Sequence, residues 1–441
     1  MPDLVSQLMP ELETYRLPGF DLGGDFLYPN YNGRSILNLP TTIAQLLGAG
    51  PIGGAVPLDP KIREALGAEP GSDIRHVILV LVDALSLYNL QKWLDLGDLP
   101  GWSTLIDRGA LAALTSTVPS TTSAALSTLW SGLSPAEHGI AGYELWLKEY
   151  GMVANMIQHA PFQFASNGFT SGSLAYTGFK PEEFIPAITL GSHLNMHGIK
   201  SYAFQQHGIA HSGLSRMLFS DVEVIAFGTS TDLWINLRTM LEKRASERVF
   251  AWVYWGEVDH FSHIFGPDDE RVYAEFRSLG ITLRDLLLSQ LSPQAREGTL
   301  LLVVADHGQI HTPSNPYYDL RAHKNLIRRL HIDPTGENRL AYFFPKPSQL
   351  EAVREYIERT WPRRFELVDS AYAASSGLFG PGEPHPALLD RLGDLMAIAR
   401  DNSYLWWGKN DNHLQGRHGG LSPQEMLVPL IATRLDRLQA P

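Results

Sequence analysis

The chain has 441 residues, 44% of them hydrophobic and 19% charged, which suffices for one large α/β domain with insertions or for two or three smaller domains. Its net charge of −12 argues against a nucleic-acid backbone as partner, since that needs a basic face, and its lack of cysteine excludes disulfides and thiolate chemistry. The first residues lack a basic start followed by an apolar core, and no apolar run is long enough to span a bilayer, so a cytoplasmic protein with no membrane partner is expected.

Residues 1–70 are rich in proline and glycine, with short helices expected over 41–47 and 60–66. They carry no visible chemistry and are expected to wrap the core. Residues 76–82 form a continuous apolar run of the kind buried on both faces of a parallel sheet, ending on Asp83. A helix over 87–94, a strand near 110–116 and a helix from Thr122 to Gly132 make a βαβα beginning. Leu233, Trp234, Leu237, Met240 and Leu241 recur at helical spacing over 230–244. A strand over 249–255 leads towards Asp259, a long helix covers 269–291, and a strand over 299–305 runs into Asp306-His307-Gly308. From about residue 320 the pattern changes to short strands over 340–344, 365–368 and 396–399 with a helix over 349–361, which suggests a smaller inserted α/β cap. The chain returns to the main sheet at Gly416-Arg417-His418-Gly419-Gly420 and a final strand over 426–433.

Between the strand near 110–116 and its following helix lies a hydroxyl-rich turn around Pro119, which delivers Ser120, Thr121 and Thr122 to a helix N-terminus. Backbone N–H groups and the helix dipole favour an anion there, although such turns also serve simply as helix caps. Three apolar strands lead to aspartates, and ligands of open parallel sheets bind beyond the carboxyl ends of strands. Asp259 and His263, four residues apart, share one helical face, with His260 pointing elsewhere. Asp306-His307 precede a glycine that permits a tight turn, and His418 sits in a glycine-flanked loop. A mixture of imidazole and carboxylate suits a borderline metal such as zinc.

Taken in order, Val82-Asp83, Pro119-Ser120-Thr121-Thr122 with Gly132 ten residues on, residues 134–140 reading S-P-A-E-H-G-I, residues 259–267 reading D-H-F-S-H-I-F-G-P, Asp306-His307-Gly308 and Arg417-His418-Gly419-Gly420 resemble the alkaline phosphatase superfamily, in its type I phosphodiesterase/nucleotide pyrophosphatase branch. The resemblance covers about residues 75–433. It implies an α/β three-layer sandwich with a mostly parallel central sheet and a smaller inserted α/β cap. The domains would be a wrapping segment (1–70), a phosphoesterase core (71–320 and 414–441) and the cap (321–413). By the same resemblance Asp83, Thr122, Asp306 and His307 would hold one divalent ion, and Asp259, His263 and His418 a second, with zinc expected and manganese as an alternative. Thr122 would be the nucleophile, and His138 would be structural. The implied activity is hydrolysis of phosphodiester or pyrophosphate bonds in a small phosphate ester through a phosphothreonine intermediate. A monoesterase, phosphonate hydrolase or phosphomutase of the superfamily, and a non-catalytic metal-binding module, are the alternatives.

Where nucleotide-specific members of this family resemble Lys-Thr-Phe-Pro-Asn at the nucleophile, this chain reads Thr121-Thr122-Ser123-Ala124-Ala125, so an alanine replaces the asparagine that donates to a phosphoryl oxygen. Backbone N–H groups at the start of the Thr122 helix are the expected substitute. Two divalent cations set against Asp83, Asp259 and Asp306 leave one positive charge, which a Thr122 alkoxide cancels; that balance suits a singly charged diester at least as well as a dianionic monoester. Trp406, Trp407, Lys409 and Arg417 are expected in the part of the cap that overhangs the site.

Overall fold

The computed structural model describes residues 4–67, 71, 73–162 and 171–438. Met1 to Asp3, part of the stretch used above for the leader reading, lie outside the described residues. No helix among the described residues is long and apolar enough to cross a membrane.

A seven-stranded central sheet runs in the order Ala110–Thr115, Leu427–Arg434, Thr299–Val304, His76–Val82, Val249–Trp255, Lys200–Gln206, Val222–Phe227, with helices on both faces. All strands are parallel except Leu427–Arg434, which is antiparallel to both neighbours. His76–Val82 lies at the centre, every residue buried, because a run of Val, Ile and Leu satisfies a strand covered on both faces. Its pairing with Val249–Trp255 and Thr299–Val304 is in step, His76 opposite both Val249 and Thr299, so three strand ends finish at one level. Asp83, Asp306 and the helix carrying Asp259 start from that edge.

A second sheet, antiparallel throughout, has the order Phe365–Asp369, Leu395–Ala399, Leu340–Phe343, Thr335–Glu337, Glu144–Leu147, Met152–Asn155, Ala160–Pro161. The expected 321–413 insertion supplies four of these strands; the other three come from residues 144–161, far earlier in the chain. A separate small core fills the space between this sheet and the helix Leu350–Thr360, around Val353, Ile357, Trp361 and Phe365. The sheet is tied to the central one by a buried bidentate pair, Arg339 to Glu425, at 2.7 and 2.9 Å. Glu425 also accepts from the Gly420 N–H at 2.8 Å, so the same carboxylate fixes the loop that carries His418.

The N-terminal region packs onto the rest of the chain at several points. The helix Leu4–Thr14 buries Leu4, Val5, Leu8 and Leu12. The Thr115 N–H donates to Arg34 O at 2.9 Å, and the Leu27 N–H donates to Leu421 O at 2.8 Å. Two parallel strands, Lys200–Gln206 and Val222–Phe227, were not expected from sequence. Lys200, Ser201, Gln205 and Gln206 interrupt the apolar signal of the first, and the second is a half-buried edge. The long helix over 269–291 is instead Glu270–Leu283 followed by a wider turn, Arg284–Leu288, in which the Ser289 N–H reaches back five residues to Arg284 O.

Candidate active site

The chain turns sharply after each strand-end aspartate. Asp83 continues the ladder, its N–H donating to Trp255 O at 3.0 Å. Ala84 then adopts a left-handed backbone (φ 59°), uncommon for a residue with a Cβ, and its N–H donates to Asp306 Oδ1 at 3.2 Å. Asp306 Oδ1 also accepts from the His307 N–H at 3.0 Å. Gly308 is required at the next position, since a Cβ would lie 2.0 Å from Gln424 O. Gly416 likewise lets the His418 loop press onto the helix Glu257–Phe265, where a Cβ would meet Ser262 O at 2.3 Å.

The hydroxyl-rich turn is more than a cap. Ser116 Oγ donates to Asp306 O and Ser120 Oγ donates to Gly420 O at 2.7 Å, joining the loop before Thr122 to both histidine loops. Thr122 opens the helix Thr122–Ser131 with Thr121 preceding it as an N-cap that makes no side-chain capping bond. Thr122 Oγ1 lies 3.2 Å from His307 Nε2 and 3.5 Å from Asp83 Oδ2.

The expected ligands fall into two adjacent groups, Asp83–Asp306–His307 and Asp259–His263–His418, each with its donor atoms within 4.8 Å of one another. His307 Nε2 is 3.5 Å from Asp83 Oδ1 and 3.4 Å from Asp306 Oδ2. His263 Nε2 is 3.3 Å and His418 Nε2 3.9 Å from Asp259 Oδ1. The His307 and His418 rings stack with centroids 3.9 Å apart, so the groups abut. Every histidine points its other nitrogen at a backbone carbonyl: His307 Nδ1 to Gly308 O (3.0 Å), His263 Nδ1 to Gly416 O (2.9 Å), His418 Nδ1 to Ser120 O (3.1 Å). A carbonyl only accepts, so each Nδ1 carries the proton and each Nε2 presents a lone pair to its group.

The electrostatics call for a cation. Asp83 Oδ1 and Asp306 Oδ2 are buried without a hydrogen-bond partner. Burial, and then the neighbouring carboxylates Asp306 and Asp259, push the Asp83 carboxyl well above its ordinary range; burial also raises Asp306. Burial, and then His307 and His263, hold His418 well below the usual imidazole range. Imidazole Nε2 atoms turned towards crowded carboxylates with free lone pairs fit divalent metal ions.

Two supporting groups were not among the residues expected from sequence. Tyr254 OH donates to Asp83 Oδ2, and Gln309 Nε2 donates to Asp259 Oδ1 at 3.1 Å. His138 is buried between Thr128 Oγ1 and the Ile140 N–H, as befits a packing residue.

A cavity of about 520 Å³ opens beside Thr122, with Asp259, His263 and His418 in its lining and the smaller sheet supplying Tyr143, Glu144, Glu337 and Asn338. His260 lines it too, rather than pointing away. Trp406 and Trp407 reach the cavity as expected, but Lys409 faces an adjoining one of about 440 Å³. Arg417 is buried elsewhere: it donates to Thr312 O at 2.8 Å and stacks on Tyr404 at 3.8 Å, so it packs the loop instead of overhanging the site. Ala125 is fully buried and offers no donor, whereas Asn338 brings an amide to the cavity.

The type I phosphodiesterase/nucleotide pyrophosphatase family model matches residues 77–421, and the chain belongs to that family, within the alkaline phosphatase superfamily. Among solved structures, murine ectonucleotide pyrophosphatase/phosphodiesterase 5, as an inactive variant in complex with AMP, is similar at 17% identity and TM-score 0.57, over 81% of this chain and 87% of that one. Phosphonoacetate hydrolase from Sinorhizobium meliloti in complex with phosphonoformate is similar at 17% identity and TM-score 0.57, over 81% of this chain and 89% of that one. At such identity they share the fold. Among curated protein sequences nothing matches.

Proposed function

We propose that the protein hydrolyses phosphodiester or pyrophosphate bonds with Thr122 as nucleophile. In this reading Asp83, Thr122, Asp306 and His307 hold one divalent ion, and Asp259, His263 and His418 a second, zinc before manganese. The observation that carries it is the pair of unpartnered buried oxygens on Asp83 and Asp306 beside the Thr122 hydroxyl and His307 Nε2. We assign residues 71–320 and 414–441 to the catalytic core, 321–413 to the cap and 1–70 to the wrapping segment.

Divalent ions, when bound, acidify a coordinated hydroxyl and neutralise phosphoryl oxygens. Thr122 Oγ1 loses its proton and bonds to phosphorus as the bond from phosphorus to the leaving oxygen breaks, that oxygen taking up a proton. Water then adds to phosphorus, the Oγ1–P bond breaks and Thr122 regains a proton. The first-turn N–H groups of the Thr122–Ser131 helix have no intrahelical acceptor and are aimed at developing negative charge, the role an asparagine at position 125 would otherwise serve. The Asn338 amide is a second donor within the cavity.

The test is Thr122→Ala, assayed on bis(p-nitrophenyl) phosphate with metal content measured by elemental analysis. Turnover should fall on the order of 10⁴-fold or more with bound metal largely kept; a rate near wild type would remove Thr122 from the chemistry. A monoester turned over far faster than both bis(p-nitrophenyl) phosphate and a nitrophenyl nucleotide ester would replace this reading with a phosphomonoesterase.

A further inference from the structure

We propose that the N-terminal segment positions the nucleophile: Asn30, Tyr31 and Arg34 set the turn that delivers Thr122, and Tyr31 is a positioning residue for the reaction. This inference rests on the phosphoesterase reading above. The turn does little to hold itself. Within residues 116–121 its own hydrogen bonds run from Thr117 Oγ1 to Pro119 O at 3.1 Å and from the Thr121 N–H to Pro119 O at 3.0 Å, and Thr121 adds no side-chain cap to the helix. Its other contacts go outward. On one side Ser116 and Ser120 bind the loops that carry Asp306 and His418. On the other side stands the N-terminal segment. The Thr115 N–H donates to Arg34 O at 2.9 Å, the Asn30 N–H donates to Thr115 Oγ1 at 2.9 Å, and the Val118 N–H donates to Tyr31 OH at 3.2 Å. Tyr31 OH donates in turn to Leu378 O at 3.1 Å, so one hydroxyl joins the turn to the 321–413 insertion. Thr115 and Val118 are wholly buried and Tyr31 is 7% exposed, so water does not readily replace a lost partner.

The segment also holds the far end of the same helix. Gly53 lies so close to Gly132, where the helix ends, that a Cβ on Gly53 would come 2.1 Å from Gly132 O. Ile36–Asn38 and Leu39–Leu46 pack against the helix between these two points. Leu27 reaches Leu421, in the loop that follows His418. The family model begins at residue 77, so this hold comes from outside the matched region. Attack by a hydroxyl on phosphorus depends on placement to within about 0.5 Å, and a residue far from the chemistry controls rate when it controls that placement. Neither Tyr31 nor Thr115 lines the cavity, so removing either hydroxyl disturbs the turn and leaves the substrate's contacts alone.

The experiment uses the metal-loaded full chain on bis(p-nitrophenyl) phosphate, well below the melting temperature of every variant. Tyr31→Phe and Thr115→Val should each lower kcat about tenfold, with KM and bound metal unchanged. Thr115→Ser, which keeps the acceptor for Asn30, should stay near wild type. Hydrogen exchange read by mass spectrometry should be faster over residues 116–122 of Tyr31→Phe than over the same residues of wild type. A lower melting temperature with kcat unchanged would show that the contact merely stabilises the fold, and would overturn the proposal. Loss of metal that accounts for the whole effect would overturn it too. Thr122→Ala as active as wild type would strike the nucleophile reading and this one with it, whereas an inactive Thr122→Ala beside a Tyr31→Phe of full kcat overturns this one alone. Should wild type hydrolyse no ester, the phosphoesterase reading falls and hydrogen exchange decides whether the segment sets the turn: faster exchange over residues 116–122 supports it, and unchanged exchange overturns it.

Discussion

The two carboxylate–histidine groups share a stacked pair of histidines yet are built differently. Asp83, Asp306 and His307 stand at adjoining strand ends, 1%, 0% and 0% exposed. Asp259 and His263 ride a nine-residue helix and His418 a glycine loop, with side chains 19%, 24% and 10% exposed and open to the cavity. The inner group is fixed by the ladder of the sheet, and its crowded carboxyls have no solvent to relieve them. The outer group can be reached by ligand and solvent. Burial thus makes one group the stronger demand for a cation, while the other lies open to the cavity.

Removing a ligand from each group breaks the comparison most directly. Asp306→Asn should lower kcat/KM on a diester on the order of 10³-fold or more, with loss of the tighter-held ion on dialysis. Asp259→Asn should release the outer ion while the inner one stays; loss of both ions from each variant would show that the groups are a single unit. Next in size are the supporting hydrogen bonds. Tyr254→Phe removes a donor to Asp83 Oδ2 and should cost about 10–100-fold in metal affinity or activity, read by metal titration. Gln309→Ala, acting on the more exposed Asp259, should fall at about the tenfold end of that range.

The smallest effect is on stability against pH. His418 is held below the usual imidazole range, so the unfolded chain takes up its proton first. That contribution to stability is full above about pH 6.5 and is lost as pH falls. Asp83 and Asp306 run the other way: raised in the fold, they favour the metal-free protein below about pH 3.9 and cease to do so as pH rises. A divalent ion binds the ionised carboxylates and neutral imidazoles, so added zinc should raise the melting temperature about 2 °C or more further at pH 7.5 than at pH 5.5. Equal shifts at both pH values, measured by calorimetry, would contradict it.

Much of this arrangement was legible because the residues involved announce themselves locally. The strands ending at Asp83 and Trp255 are unbroken apolar runs, and Asp259 with His263 needs only helical spacing. Glu144 and Glu337 were invisible for the opposite reason: each lies in a short antiparallel strand with ordinary polarity, and residues 143 and 337, 194 positions apart, meet only through the smaller sheet. Tyr254 gave one weak sign, a hydroxyl in an otherwise apolar strand one residue from its end. Arg417 misled because it directly precedes His418 in its motif, while its side chain serves Thr312 and Tyr404.

The place of Leu427–Arg434 has a consequence for how the molecule is made. Of the described strands it leaves the ribosome last, yet it belongs inside the central sheet, between Ala110–Thr115 and Thr299–Val304. Until it arrives, two long apolar edges face each other with their ladder groups unpaired, separated in sequence by well over a hundred residues. From the completion of Thr299–Val304 until Leu427–Arg434 follows, the nascent chain is therefore an open-sided intermediate, exposed to wrong strand partners and dependent on late, long-range closure. Ser116, which donates to Asp306 O from just beyond one of those edges, can take up that contact only once the gap is filled.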